Sequence, residues 1–303
     1  MEKRTQLLSP SKCLKALLGA AFLPALALAC ASCGSGGEDP LILYPNESHK
    51  FYLGQSNTFG IKNVELDGSL VTAGGPILKS SATVAYGERL GRDLFATVTV
   101  PVIRNQNETR SETALADPSL SLRYTILLPT LVDPRWVPQV QLIMGYKFAV
   151  SRGVFDSEDP KELMDVFGTG FSELRFGVDV WSGNGPVKMG FAFTAAQPLA
   201  RTIKGAHFEP GIVLRSTVTG GYDWATHLRL SAGIVREDKA GMILDGVPLP
   251  VNESLSHTVF LNQDWDVTEI DRLRLSYVQT SALFENRGGV NSHILALAYM
   301  RVL

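Results

Sequence analysis

The chain has 303 residues, with 28 Lys and Arg against 30 Asp and Glu and a formal net charge of −2 at pH 7. A slightly acidic chain lacks the basic face that a phosphate backbone requires, which argues against nucleic acid as a partner. It holds 28 glycines, and few windows show a helical period, so the composition is that of an all-β protein.

Lys3, Arg4, Lys12 and Lys15 form a basic leader. An apolar run from Ala16 to Ala29 follows, broken only by Gly19 and Pro24 and closing on the small-residue pattern Ala27-Leu28-Ala29. It is shorter than the roughly 20 residues a membrane helix needs. Residues 1–29 are therefore expected to be a cleaved signal peptide. Without them the chain keeps 24 basic and 29 acidic residues, a formal charge near −5.

Residues 30–50 are expected to form a flexible, exported segment rich in Cys and Gly. Cys30 and Cys33 stand in Cys30-Ala31-Ser32-Cys33-Gly34-Ser35-Gly36-Gly37. Three readings remain open. Either cysteine suits lipid attachment, Cys30 behind Ala27-Leu28-Ala29 and Cys33 before a Gly/Ser tether. The pair has the spacing for copper or another soft metal, and equally for a small disulfide or free thiols. No His follows Cys33, so covalent haem attachment is not expected.

From Phe51 onward, period-two alternation predicts twelve strands, at about 51–65, 78–87, 93–103, 118–128, 138–150, 170–181, 187–197, 210–219, 225–235, 256–265, 272–282 and 292–302. The clearest hairpin runs from Ser80 to Arg104. Ala82, Val84 and Tyr86 share one face of its first arm, with Ser81, Thr83 and Ala85 on the other. In its second arm Leu94, Ala96, Val98, Val100 and Val102 oppose Phe95, Thr97 and Thr99, and Gly87–Arg92 reads as the turn. The connections alternate in length. Long ones span about 67–77, 104–117, 151–169, 198–209, 236–255 and 283–291. Shorter ones lie at Glu88–Arg92, Pro129–Val137, Ser182–Pro186, Gly220–Trp224 and Asp266–Asp271.

An even number of strands with long loops on one side and short turns on the other is the pattern of a closed, antiparallel, up-and-down transmembrane β-barrel. Residues 51–303 are expected to form it, with both termini on the short-turn side, the periplasm. A soluble sandwich shows the same alternation with its polar face outward. Mid-strand charges recur on the polar face and favour the barrel. Arg123, Lys147, Glu173, Arg175, Asp179, Arg229 and Arg274 are the candidate lumen-lining residues, and Lys188 is a further mid-strand charge on the polar face. They either border a solute path or form a paired, hydrogen-bonded plug. Tyr52, Tyr86, Trp136, Trp181, Tyr222, Trp224 and Trp265 fall near strand ends, where an interfacial girdle is expected. Closure also removes the edges at which sheets aggregate.

Three segments carry a family resemblance: Tyr86-Gly87-Glu88-Arg89-Leu90 through Val100-Pro101-Val102, Ala116-Asp117-Pro118-Ser119-Leu120-Ser121-Leu122-Arg123-Tyr124, and Gly168-Thr169-Gly170-Phe171-Ser172-Glu173-Leu174. In them the chain resembles the outer-membrane β-barrels of Gram-negative bacteria described as transporters of the meta-pathway of phenol degradation, within the wider group of hydrophobic-compound channels. The resemblance covers most of 78–302. It implies an outer-membrane location and a channel for small hydrophobic or aromatic solutes. Its implied partners are outer-membrane lipid, those solutes and the outer-membrane assembly machinery.

No catalytic set is legible. The five histidines show no metal spacing, and there is no Gly-x-Ser-x-Gly elbow or P-loop. The chain is not expected to be an enzyme, and no cofactor is expected apart from the metal reading of Cys30 and Cys33. The acidic stretch of Asp156, Glu158, Asp159, Glu162 and Asp165 reads as a solvated loop rather than a calcium site.

Overall fold

The structure is a computed structural model, and it describes residues 48–302 apart from 66, 73–75, 128–137, 160, 250–252, 282 and 284–285. The expected signal peptide, Cys30, Cys33 and Trp136 lie outside the described residues. The strands are β1 (His49–Val64), β2 (Leu70–Thr72), β3 (Leu78–Arg89), β4 (Leu94–Gln106), β5 (Ser111–Leu115), β6 (Ser119–Leu127), β7 (Gln139–Lys147), β8 (Glu173–Asn184), β9 (Val187–Pro198), β10 (Arg201–Ile203), β11 (Ala206–Glu209), β12 (Val213–Ala225), β13 (Leu228–Lys239), β14 (Met242–Leu244), β15 (Val247–Leu249), β16 (Ser254–Asp266), β17 (Asp271–Thr280) and β18 (Val290–Val302). One 3-10 turn, Val154–Asp156, is the sole helical element among the described residues.

Twelve of these strands close a barrel in the order β1-β3-β4-β6-β7-β8-β9-β12-β13-β16-β17-β18, each antiparallel to the next. The seam is the β1–β18 pair, running from Lys50 opposite Val302 to Phe59 opposite His293. Beyond Phe59 the register shifts before resuming at Lys62. Gly60 sits in that bulge with φ of 64°, a left-handed backbone that costs glycine little and a side-chain-bearing residue more.

All twelve expected strands are present, close to their expected limits. The largest departure is in β12, where Gly220–Trp224 is strand rather than turn. Gly220 and Gly221 pair with Met189 and Lys188 on one side and with Ala232 and Ser231 on the other. The chain reverses instead at Thr226 and His227.

Exposure alternates clearly along strands such as β3, β4, β6 and β9, and its sense is opposite to that of a soluble protein. In β3, Val84 and Tyr86 face out while Thr83 and Ala85 are buried; in β4, Val98 and Val100 face out while Phe95, Thr97 and Thr99 are buried. Val218 is 61% exposed, whereas Arg123 is 2% exposed. Apolar side chains directed outward around a closed ring, with charges inside, make a barrel built for lipid. The barrel strands have 9 to 16 residues, enough to cross at a tilt.

The expected girdle is partly realised. Tyr86, Tyr222 and Trp224 are exposed and Trp265 is on the outward face of β16. Tyr52 and Trp181 are exceptions, because each has the parity of the inward face. Tyr52 is 2% exposed and packs with Ala85, Ala298 and Met300. Trp181 lies over Gly190, where an added Cβ would meet its ring at 2.7 Å. A terminal position cannot by itself distinguish a girdle ring from one that lies flat on the inner wall beside a glycine.

The long connections are not plain loops. β10–β11 and β14–β15 are hairpins that join through β11 and β14 into a separate four-stranded sheet. Their two-residue turns, Lys204-Gly205 and Asp245-Gly246, have positive φ at both positions, the geometry that matches hairpin twist. The sheet buries Ile203, Phe208 and Met242 against Phe171, with Phe155 and Leu244 at its margin. β5 extends the β4 edge beyond the barrel, and β2 does the same for β1.

Candidate functional site: the lumen and its long-loop mouth

Strand parity places all seven lumen-lining candidates on the inward face, and the fold groups them. Arg123 on β6 and Asp179 on β8 reach each other across β7, with Arg123 Nη1 donating to Asp179 Oδ2 at 2.9 Å. Between them Gln141 Nε2 donates to Thr125 Oγ1 at 3.2 Å. Nearer the long loops, Glu173 accepts from Lys147 Nζ at 2.8 Å on one oxygen and from Arg175 Nη2 at 2.7 Å on the other. Toward the short turns, Arg229 Nε donates to Asp223 Oδ1 at 2.6 Å. Arg274 forks onto Asp264 with bonds of 2.6 and 2.9 Å.

The sequence reading missed the partners of the last two arginines, and the Arg215–Glu237 pair altogether. Arg215 Nε donates to Glu237 Oε2 at 3.0 Å, and a second, shorter contact runs from Arg215 Nη2 to the same oxygen. Asp223, Asp264 and Glu237 lie on the parity of the inner wall, and that was the signal available. These pairs are cross-strand or diagonal neighbours, the distances at which opposite charges on one sheet face meet. A buried ion is tolerated only when it is paired and hydrogen-bonded, and each of these charges has its partner on the inner wall.

The wall is not polar throughout. Val235, Phe260, Val278 and Ile294 form an apolar cluster on β13, β16, β17 and β18. Ala296, Ala298 and Met300 continue it along β18 toward Tyr52. The expected polar lumen therefore contains a buried apolar patch, while Arg274–Asp264 and Arg272–Asp266 keep the short-turn ends of β16 and β17 charged. Phe260 lies over Gly233, which has no side chain to hold it off the wall.

The segment 148–172 is folded over the long-loop mouth. Asn105, inward-facing and 0% exposed at the long-loop end of β4, donates through Nδ2 to the carbonyls of Met164 and Val166, each at 2.9 Å. On one side Arg110 binds Asp159 and Asn107 binds Glu162. On the other, Arg201 Nη1 donates to Asp156 Oδ2 at 3.0 Å and Lys204 Nζ to the Ser157 carbonyl at 2.8 Å. A segment that leaves β7 and returns to β8 thus reaches β4 in one direction and the β10–β11 hairpin in the other, as a strap.

Two carboxylates hold the strap's own shape. Asp117 Oδ1 accepts from Val150 N, Ser151 N and Ser151 Oγ, and Oδ2 from Thr169 N at 2.9 Å. Asp165 accepts from Ser157 Oγ at 2.6 Å, Glu158 N at 2.8 Å and Arg152 Nη1 at 3.1 Å. Burial alone would raise the Asp165 carboxyl, but these donors outweigh it and hold the pKa at about 2. The acidic stretch is therefore not merely a solvated loop. Among the described residues no group of His, Cys, Asp and Glu is arranged to hold a metal ion.

No protein-family profile and no curated protein sequence matches the chain. Among solved structures it is similar to the COG4313 outer membrane channel from Pseudomonas putida F1, with a TM-score of 0.68 and 12% identity over 86% of this chain and 97% of that one. It also matches the NanC porin (TM-score 0.49, 9% identity, 84% of this chain and 100% of that one) and the KdgM porin (0.46, 6%, 84% and 99%). At such identities the likeness is one of fold alone, that of a closed antiparallel β-barrel.

Proposed function

We propose that the chain is a bacterial outer-membrane channel for small hydrophobic or aromatic compounds, related to the transporters of the phenol meta-pathway. One observation carries this reading. The ring of strands is closed, apolar outside and charged inside, which leaves a lumen as the place for function. The resemblance of most of residues 78–302 to hydrophobic-compound channels supports the choice of solute class. In this reading residues 1–29 are removed on export, the short turns and both termini face the periplasm, and the assembly machinery inserts the barrel.

The test has two stages. Outer-membrane fractions run on a gel before and after boiling report a closed barrel by its change in mobility. Purified protein in liposomes is then assayed for ionic conductance and for uptake of phenol. A heat-modifiable barrel that gives neither current nor uptake would remove the channel reading and leave the fold untouched.

A further inference from the structure

Cations outnumber carboxylates on the inner wall, and the surplus is larger toward the long loops. Toward the short turns four cations meet three carboxylates, with Lys188 and Arg229 around Asp223 and with Arg272 and Arg274 on Asp266 and Asp264. Toward the long loops, Lys147, Arg175, Arg215 and Lys239 share the inward parity with Glu173 and Glu237. Glu173 is divided between Lys147 and Arg175. Glu237 pairs with Arg215. Arg175 on β8 and Arg215 on β12 are separated by β9, which offers only Ala196 and Thr194 opposite them.

On the strap above this zone Asp156 is bound by Arg201 and Asp159 by Arg110, Glu158 and Asp165 share Arg152, and Glu162 is exposed with the neutral Asn107 amide as its donor. The zone thus lies inside a low-dielectric wall that concentrates its field on the lumen.

We propose that the long-loop half of the lumen is an anion filter, which favours small organic acids, aromatic carboxylates among them, over cations and neutral solutes. This rests on the channel reading and narrows its solute class: the apolar body is tolerated by the wall, and the carboxylate is drawn in by Lys147, Arg175, Arg215 and Lys239. A carboxylate meeting two guanidiniums over small neighbours gains charge-assisted hydrogen bonds that a neutral phenol does not.

The test is the reversal potential of the full-length protein in planar bilayers under a potassium chloride gradient, and again with potassium benzoate replacing chloride on one side. The expected result is a chloride preference over potassium on the order of tenfold, in keeping with the counter-ion enrichment of a charged cleft, and measurable benzoate current. Arg175→Gln should lower the preference, and Lys239→Glu, at a partly exposed site that does not threaten folding, should lower it further. Arg236→Gln, on the outward face of the same strand, should leave it unchanged. Current that is unselective or cation-selective would overturn the filter and leave the channel standing. Absence of any current would overturn the filter, and the channel reading falls with it only where phenol uptake into liposomes is absent as well.

Discussion

Asp117 and Gly168 stand so close that a Cβ built on Gly168 would overlap both Asp117 Oδ2 and Ser151 Oγ. The two residues are far apart in the chain, and each belongs to a segment that carried the family resemblance. The fold brings those segments together because one carboxylate organises the backbone at both ends of the strap, at Val150–Ser151 and at Thr169. Glycine at 168 is required by this approach.

Gly168→Ala should therefore displace the Asp117 carboxylate, and Asp117→Asn should point an amide donor at a donor whichever way the amide is turned. Hydrogen bonds to a charged acceptor contribute about 1.5–3 kcal/mol each, so either change should loosen the strap while the barrel stays closed. Limited proteolysis of the folded protein in detergent, with cleavage mapped by mass spectrometry, should show new cuts within 148–172. If the wild type and both variants resist equally, the strap is held by something other than Asp117.

Asp165 predicts a pH dependence with a definite sign. Its folded pKa of about 2 lies below the ordinary value of 3.8. The stabilisation is thus present in full above pH 3.8 and is lost as pH falls toward 2. The Glu158 amide, which donates to Asp165 Oδ2, is the reporter. Its hydrogen-exchange protection, corrected for intrinsic rates, should hold from neutral pH to about 4 and fall by pH 2. Asp165→Asn should show the low protection at every pH. Protection that survives unchanged at pH 2 in the wild type would refute the assignment.

These two carboxylates mark the limit of what could be read from the chain. The barrel was legible because a two-residue period is a local property, and Val84/Thr83 or Val98/Thr97 declare their faces without knowledge of any partner. The inward parity of Arg123, Glu173 and Asp179 followed from the same rule. What was not legible depends on closure. Asp223 and Asp264 looked like ordinary polar residues until strand pairing set Arg229 and Arg274 beside them. Tyr52 and Trp181 looked like girdle residues because sequence position gives height but not the side of the wall. The loops hid a second sheet, since Ile203, Phe208 and Met242 are isolated apolar residues until β11 meets β14. Lys204-Gly205 and Asp245-Gly246 were the available hairpin signals there, and they went unused.

The Arg123–Asp179 pair should behave as a buried pair whose disruption is costlier than its replacement. Arg123→Ala leaves Asp179 without this cation at 3% exposure and should lower stability by about 3–5 kcal/mol. The double change Arg123→Met with Asp179→Leu removes both charges and should cost much less than the single one. Urea unfolding of detergent-solubilised barrel, followed by heat-modifiable mobility, measures the difference. Additive losses would mean that the two charges act separately.

The outward face offers the sharpest test of where lipid lies. Phe191, Val218 and Ile234 are direct cross-strand neighbours on β9, β12 and β13, all exposed and all near the middle of their strands. In a soluble protein, arginine at such an exposed position would be nearly neutral or would improve solubility. In a bilayer, the same charge at the midplane costs about 2–4 kcal/mol and declines toward the interfaces. Val218→Arg should therefore reduce the folded, heat-modifiable fraction when the protein is refolded into liposomes. Trp224→Arg, three outward positions nearer the short turns and 69% exposed, should cost about 0–1 kcal/mol beyond its lost ring contact with Tyr222. A depth-dependent penalty of this kind has no origin in water. Equal tolerance of arginine at both sites would place the exposed Leu, Val and Phe ring in solvent, and the channel with it.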